Sequence, residues 1–260
     1  MRNVSAIYWK EMRSYFISPI AYIIIAFFIA IIGYFFFGLL VQFLDYSLRS
    51  VAQAQYYKMV PPKVNVNEMV IRPLFLNMSI VVLFFLPAIT MRLFSEEKKS
   101  GTIELLLTSP VTQFQMILGK YLAGLSLFVS MILLTIPFMV ILFVYGNPEL
   151  APVVTGYLGI LLLGGSFVAI GLLISSLTEN QIVSATATFG VLLMLWIIDW
   201  MAAYTGPTLG AFFNYISVID HLDNFARGVL DSQDVVFYLS VVATGLFLTY
   251  SSMESLRWRE

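Results

Sequence analysis

The chain contains no cysteine, and only 11% of its 260 residues are charged. The missing cysteine excludes disulfides, thiolate metal sites and a cysteine nucleophile. Soluble domains carry about 25% charged residues, so this composition excludes an ordinary water-exposed surface. The net charge of −1 excludes the basic excess typical of nucleic-acid-binding proteins. The chain is 60% hydrophobic and contains 22 phenylalanines, a composition that indicates a membrane protein.

Nucleotide-binding motifs are also missing: the chain has neither G-x-x-x-x-G-K-[ST] nor G-x-G-x-x-G. The segments between its hydrophobic runs are too short for an ATPase domain. Ion-coupled transporters usually carry ionisable groups inside the bilayer, but Asp199, between Trp196 and Trp200, reads as the end of a span. We therefore predict a chain that is not an enzyme, has no catalytic residue and binds no metal or cofactor. Energy for directed work must come from another chain.

Six uncharged runs are long enough to cross a bilayer, which requires about 20 apolar residues as helix. Helices are expected because lipid offers no partner to an open strand edge. We predict an all-α integral membrane protein that forms one transmembrane domain over residues 1–260. Its spans are expected near 20–44, 74–91, 121–145, 153–177, 182–203 and 235–252.

Lysines and arginines set the predicted orientation, because cytoplasmic loops carry an excess of both. Nine of them fall on the side of the two termini and five on the other. This places the termini and residues 92–120 in the cytosol, and residues 45–73 and 204–234 outside. Gly206, Pro207 and Gly210 break the neutral segment before the last span, so we expect short outer half-helices that dip inward.

Residues 1–18 have the pattern of an amphipathic helix that lies in the membrane interface. One side carries arginine and lysine, after which Pro19 starts the first span. A generic membrane anchor and a contact with a partner protein both remain open for this helix. Its predicted apolar face consists of Val4, Ile7, Tyr8, Met12, Tyr15 and Phe16.

The stretch "SEEKKSGTIELLLTSPVT" contains four consecutive charges followed by three leucines. Thr102 can cap a short helix that Pro110 stops, and Thr112 with Gln115 forms a capping box for the next helix. An isolated helix of one or two turns is marginal in water. It must therefore be buried against lipid headgroups, the protein's own spans or a partner.

Four segments resemble the permease subunits of type-2 ABC exporters: "WKEMRSYFISPIAYI", "MRLFSEEKKSGTIELLLTSPVTQFQMILGKYLAG", "SSLTENQIVSA" and "HLDNFARGVLDSQDVVFYLS". The second is the most specific. Within that family the chain is most similar to the branch of the gliding-motility-associated permease and of the permease for copper-site maturation of nitrous oxide reductase. The resemblance covers nearly the whole chain.

The resemblance implies a permease of the bacterial cytoplasmic membrane that pairs with a second copy or a paralogue. Two copies of a cytosolic ABC ATPase subunit would bind below and hold the ATP and magnesium. Membrane lipid is a further expected partner, and nucleic acid is not. The family's ATPase contacts carry over to Lys10, Glu11, Arg92, Glu96, Glu97, Gly101, Thr102, Ile103, Glu104, Leu105, Leu106 and Pro110.

The outer segment from Asp45 to Arg72 is longer than a tight turn needs, and its sequence suggests a helix followed by an extended piece. Binding of an outer partner and simple capping of the bundle both remain open. His221 lies between two aspartates, but a lone histidine supplies only one metal ligand. Small residues four apart on spans four and five indicate close helix packing.

Three functions follow from these observations. The first is an export permease that partner ATPases rearrange through the cytosolic coupling helix. The second is a mechanotransmitter, in which the same movement acts on an outer or periplasmic protein and nothing crosses. The third is a passive channel or membrane scaffold without an ATPase. The apolar walls of the spans suit an amphipathic or lipid-linked cargo, or none.

Overall fold

The computed structural model describes residues 2–60, 64–107 and 111–257, and the regular structure within those ranges is helical. A π-helical turn at Asn67–Ile71 leads into α3. The α-helices in chain order are α1 (Arg2–Ile17), α2 (Pro19–Tyr57), α3 (Arg72–Thr90), α4 (Arg92–Lys99), α5 (Thr102–Leu107), α6 (Gln113–Leu133), α7 (Ile136–Tyr145), α8 (Leu150–Leu177), α9 (Gln181–Tyr204), α10 (Pro207–Ile216), α11 (Val218–Ala226) and α12 (Ser232–Arg257).

Six helical stretches in the described part are long and apolar enough to cross a membrane. This confirms the predicted all-α membrane protein with six spans, and each stretch overlaps one predicted span. The stretches are Pro19–Tyr57, Asn67–Lys99, Gln113–Tyr145, Leu150–Leu177, Gln181–Met201 and Ser232–Ser255.

The centre of the bundle is formed by α3 and α8, whose most apolar windows are 61% and 67% buried. The corresponding windows of α2, α9 and α12 are only 17% buried, so these three helices lie at the periphery. Glycines on α8 allow close packing: a Cβ at Gly156 would lie 2.2 Å from the Phe75 ring, and one at Gly164 2.0 Å from the Phe128 ring. At Gly171, one of the small residues that the spacing singled out, a Cβ would lie 2.1 Å from Thr90 Oγ1, so this residue serves helix packing as predicted.

The helix that contains the first predicted span continues beyond it, because α2 does not end near residue 44. Ser18 caps its start by accepting a hydrogen bond from the Ile20 amide at 3.3 Å, and Lys58 ends it in the left-handed conformation with φ of 55°. The predicted outer helix is a continuation of the span, since no glycine or proline interrupts residues 39–60. At 1.5 Å per residue, this helix is about 58 Å long.

The third predicted span is not one straight helix. It divides into α6 and α7 at Leu134 and Thr135, two residues before Pro137. Proline lacks an amide hydrogen and its ring displaces the preceding turn, which ends a regular helix. The Thr135 hydroxyl donates to the Ile132 carbonyl at 2.7 Å and lies 3.0 Å from the Tyr157 hydroxyl. The break is thereby anchored to α8.

The predicted half-helices before the last span are present as α10 and α11. Ser217 caps α11 by accepting from the Asp220 amide at 3.1 Å. The buried face of α11 includes Leu222 and Phe225 and packs against α8, while α10 packs against α9. A Cβ at Gly159 of α8 would lie 2.7 Å from the Cβ of Phe225, so this contact depends on the glycine.

Candidate functional site

The amphipathic helix α1 lies along α6. Ile7 and Tyr15 are buried, and Tyr8 and Met12 are partly buried, so the predicted apolar face is confirmed at these positions. Phe16 is exposed, in contrast to the prediction. The Tyr15 hydroxyl donates to the Ile89 carbonyl near the end of α3 at 3.1 Å. Burial, reinforced by the nearby charge of Glu11, raises the pKa of Tyr15.

The approach of α1 to α6 requires a glycine. A Cβ at Gly119 would lie 2.9 Å from Cγ2 of Ile7 and 3.2 Å from the Val4 carbonyl oxygen. Four residues earlier, the predicted capping box is confirmed: Thr112 accepts from the Gln115 amide at 3.3 Å, and the Gln115 side chain accepts from the Thr112 amide at 3.4 Å. The start of α6 is thus fixed by its own sequence.

A buried lysine joins three helices beside this contact. The Lys120 side chain is 1% exposed, and its Nζ lies 2.8 Å from Glu11 Oε1 of α1 and 2.9 Å from Glu97 Oε2 of α4. It also donates to the Leu93 carbonyl at 2.6 Å and lies 5.1 Å from the centre of the Phe94 ring. A buried charge needs such compensation, because desolvation of an unpaired ion is costly.

Lys10 completes this group from the outside. Its Nζ donates to Glu97 Oε1 at 2.8 Å and lies 3.9 Å from Glu11 Oε1. Partial burial lowers the pKa of Lys10, but the hydrogen bond and charge of Glu97 outweigh burial, so the pKa lies above its usual 10.5. Two cations and two carboxylates therefore form a neutral group, called the Lys120 cluster: Lys10, Glu11, Glu97 and Lys120.

Two further contacts fix α4 to the end of α8. The Ser175 hydroxyl accepts from the amides of Phe94 at 3.0 Å and Ser95 at 3.1 Å, and donates to the Met91 carbonyl at 3.0 Å. Lys98 donates to the Ser176 carbonyl at 2.5 Å. Since free amides occur at the start of any helix, Ser175 serves as a cap supplied by another helix.

The segment after α4 turns at Gly101, whose φ is +69°. The Thr102 hydroxyl lies 2.9 Å from the Ser100 hydroxyl and donates to the Glu97 carbonyl at 3.4 Å. Ile103 is partly buried against the core, and α5 continues through Glu104, Leu105 and Leu106 to Leu107. The predicted stop at Pro110 lies outside the described residues.

The structure brings together part of the predicted site. Lys10, Glu11 and Glu97 meet in the Lys120 cluster, whereas Arg92 is partly buried and Glu96 exposed at its edge. Lys120 and Ser175 were missed by the sequence reasoning. Lys120 was treated only as the boundary of a span, although a single lysine deep inside a capped apolar helix signals the need for a buried partner.

A second group of ion pairs lies at the opposite end of α3. Arg72 binds Asp223 of α11 through two hydrogen bonds, of 2.6 Å from Nε and 2.9 Å from Nη2. Arg72 also lies 3.2 Å from Glu68, and Arg227 lies 2.5 Å from Asp223. These four residues, the Asp223 cluster, tie α11 to the first turn of α3.

His221 is buried near the Asp223 cluster, and its contacts likewise tie α11 to neighbouring helices. Its Nδ1 lies 2.5 Å from Asp234 Oδ1 and its Nε2 3.1 Å from the Tyr215 carbonyl, while its ring stacks on Phe237. A carbonyl oxygen only accepts, so Nε2 carries a hydrogen and is not free to bind a metal. Among the described residues, no group of three or more metal-ligating side chains occurs.

The chain matches a known protein family. A family model described as "ABC-2 family transporter protein" matches residues 5–251. Because the match covers nearly the whole chain, the protein belongs to this family, and it is a multi-pass permease subunit of an ABC transporter. Membership implies a partner ATP-binding subunit. No curated protein matches the chain.

Proposed function

We propose that this chain is the membrane subunit of an exporter, and that a separate ATPase drives it through the surface formed by α1, α4 and α5. The observation that carries the proposal is the Lys120 cluster, which joins α4 to both α1 and α6. A displacement of α4 by the ATPase would therefore be transmitted to a spanning helix through short, buried ionic contacts. Such contacts would allow the spans to follow α4 as rigid bodies.

A second path leads from α4 to the centre of the bundle. Ser175 binds the first turn of α4, and Lys98 binds the end of the same helix α8. Because α8 is the most deeply buried span, movement of α4 reaches the core without passing through a flexible loop. This supports α4 as the receiving element of the permease.

The predicted contact residues divide into two groups by position. Glu11 and Glu97 face Lys120 and therefore position α1 and α4 instead of meeting the ATPase. Glu96, Gly101 and Thr102 are exposed and form the expected contact surface together with α5. The three leucines of α5 would supply its apolar part, since burial of each is worth about 1.5–3 kcal/mol.

The complete machine is expected to contain two permease chains, either identical or paralogous, and two ATPase subunits that hold ATP and magnesium. The apolar faces of the peripheral helices α2, α9 and α12 are largely uncovered within one chain, so they offer room for a second permease chain as well as for lipid. The termini and the α4–α5 segment would lie in the cytosol of a bacterium, at its inner membrane. The narrower resemblance to the gliding-motility and copper-maturation permeases remains a prediction.

The test measures ATP hydrolysis by the partner subunit reconstituted with the permease in liposomes. Leu106→Asp on α5 should reduce permease-dependent stimulation about tenfold or more, because an unpaired carboxylate in an apolar contact is costly to desolvate. Leu48→Asp, on an exposed position at the far end of α2, is the matched control and should stimulate normally. Undiminished stimulation by Leu106→Asp would remove α5 from the interface.

A second candidate function, the mechanotransmitter, is favoured by the extension of α2 beyond the predicted end of the span. This extension exposes Tyr46, Leu48, Tyr56 and Tyr57, a composition suited to binding an outer protein. Deletion of residues 48–66 would distinguish the two functions. Loss of partner binding with intact cargo flux supports an exporter with an accessory partner, and absence of any flux in the intact protein supports the mechanotransmitter.

A further inference from the structure

A cavity of about 810 Å³ lies between α1 and the start of α4, beside the Lys120 cluster. Its walls carry the side chains of Lys10, Arg13 and Arg92 and a single carboxylate, that of Glu96. Because Glu97 neutralises Lys10 within the Lys120 cluster, Arg13 and Arg92 against Glu96 leave the cavity with one excess positive charge. A cavity of this size accommodates a small anionic group.

Two of these cations have no ion-pair partner among the residues that the structure describes. Within the described ranges 2–60, 64–107 and 111–257, neither Arg13 nor Arg92 forms a hydrogen bond or an ion pair, whereas Lys10 is bound to Glu97. Arginine presents five donors in a planar fork that matches the oxygens of a phosphate. Two unpaired arginines on one cavity therefore provide a phosphate-binding arrangement.

The position of the cavity relative to the bilayer follows from two separate hydrophobic runs. Arg13 precedes α2, whose apolar run begins at Pro19, and Arg92 follows α3 directly. Ile17 and Ser18, immediately before α2, also line the cavity. Both arginines thus lie where a span meets the membrane surface, at the level of lipid headgroups.

Apolar side chains border the same cavity. Trp9 is 66% exposed and Ile17 73% exposed, and both line it. Tryptophan is enriched at the headgroup level because its ring is amphipathic. An acidic patch on a protein partner would leave Ile17 facing water, but a phospholipid satisfies the arginines with its phosphate and the apolar residues with its acyl chains.

We propose that this cavity is a binding site for the phosphate headgroup of an anionic phospholipid, with Arg13 and Arg92 as the phosphate ligands. The inference depends on the six-span fold and not on the identity of the ATPase. A lipid bound there would contact α1 and α4 at once. It would therefore hold the two helices together next to the Lys120 cluster.

The experiment titrates the purified full-length protein, in a neutral detergent, with phosphatidylglycerol or phosphatidylcholine and counts bound lipids by native mass spectrometry. The wild type should retain one phosphatidylglycerol more tightly than phosphatidylcholine. Each basic side chain at the headgroup level contributes about a fivefold factor, so Arg13→Gln with Arg92→Gln should weaken that site about 30-fold. The matched control is Arg49→Gln with Lys58→Gln, which removes the same charge from the far end of α2 and should bind normally.

Several outcomes would overturn the proposal. Equal losses in both double variants would show that only net charge matters, and displacement of the lipid by inorganic phosphate at millimolar concentration would show a free-phosphate site. Undiminished phosphatidylglycerol binding by Arg13→Gln with Arg92→Gln would show that these arginines are not its phosphate ligands. Should the double variant fail to fold, Arg13→Gln alone decides, because this side chain is exposed and its loss should weaken binding about fivefold.

Discussion

Ion pairs of two different kinds lie at the two ends of α3. At one end, the Lys120 cluster surrounds a fully buried ammonium group with two carboxylates from non-spanning helix α1 and from α4. At the other end, about 28 Å away along α3, Arg72 forms a partly exposed fork with Asp223 of α11. Both clusters attach a short helix to the spans, but only the first has a fully buried charged group at its centre, the Lys120 ammonium at 1% exposure.

This difference indicates how tightly each short helix is coupled to the bundle. Breaking a buried pair leaves an uncompensated charge and costs about 3–5 kcal/mol, whereas exposed pairs contribute little. Helix α11 is held mainly by its apolar face on α8, and its ion pairs add to that contact. Helix α1 depends on the Lys120 cluster to a larger extent, so we expect it to respond sharply to charge changes.

The largest expected effect comes from Lys120→Met. Removal of the ammonium group leaves the carboxylates of Glu11 and Glu97 buried with Lys10 as their one remaining cation, at a cost of about 3–5 kcal/mol. Thermal unfolding of the purified protein, together with protease sensitivity of α1, measures the loss. Lys99→Met, at an exposed position of α4, is the control. If the two variants are equally stable, the Lys120 cluster has no special role.

Asp223→Asn tests the opposite end and should have a smaller effect. The substitution leaves Arg72 and Arg227 without their shared carboxylate, and hydrogen bonds to charged groups contribute roughly 1.5–3 kcal/mol. Thermal unfolding should shift less than in Lys120→Met, and hydrogen exchange should increase in α11 but not in α1. A larger shift than that of Lys120→Met would reverse the comparison.

Substitution of two glycines tests the attachment of the same two short helices through side-chain packing instead of charge. Gly119→Ala pushes α1 from α6, because its Cβ would meet Ile7 at 2.9 Å, and Gly159→Ala pushes α11 from α8 in the same way. Each should cost roughly 1–3 kcal/mol through overpacking. Hydrogen exchange should increase in α1 for the first variant and in α11 for the second. An increase spread over the whole bundle in both would show that neither short helix moves independently.

The smallest effect concerns pH. Since the folded-state pKa of Lys10 is raised above 10.5, its contribution is fully present below that pH and is lost as the pH rises through the folded value. Alkaline titration of the wild type should loosen α1 in a step that Lys10→Met lacks. The fluorescence of Trp9 on α1, followed from neutral pH upward, reports this step. A step of equal size in Lys10→Met would assign it to another group.

Local sequence signals predicted the helix starts well. The Thr112–Gln115 box and the Pro19 start were predicted because they depend on neighbouring residues. The continuity of α2 was missed because Asp45 was taken as the boundary between the first span and a separate outer helix, although a charged residue does not end a helix. The pair of Asp45 with Arg49, at 2.9 Å, even supports the longer helix.

The candidate site was less predictable, because its key contacts join distant parts of the chain. Lys120 and Glu11 lie 109 residues apart and Lys10 and Glu97 lie 87 apart, and no spacing rule connects them. The sequence identified the charged stretch around Glu97 correctly but gave no means of deciding which carboxylates point inward. That decision requires the packing of α1 on α6.

The uninterrupted length of α2 has a geometric consequence. A rigid rod of about 58 Å, if tilted by roughly five degrees about the end next to α1, carries its other tip sideways by about 5 Å. A tilt of α2 too small to open a passage between the spans would therefore move Tyr57, at the far tip, by about the size of a side chain. A small tilt of the helix thus produces a large displacement of its tip, on the side of the membrane away from α4.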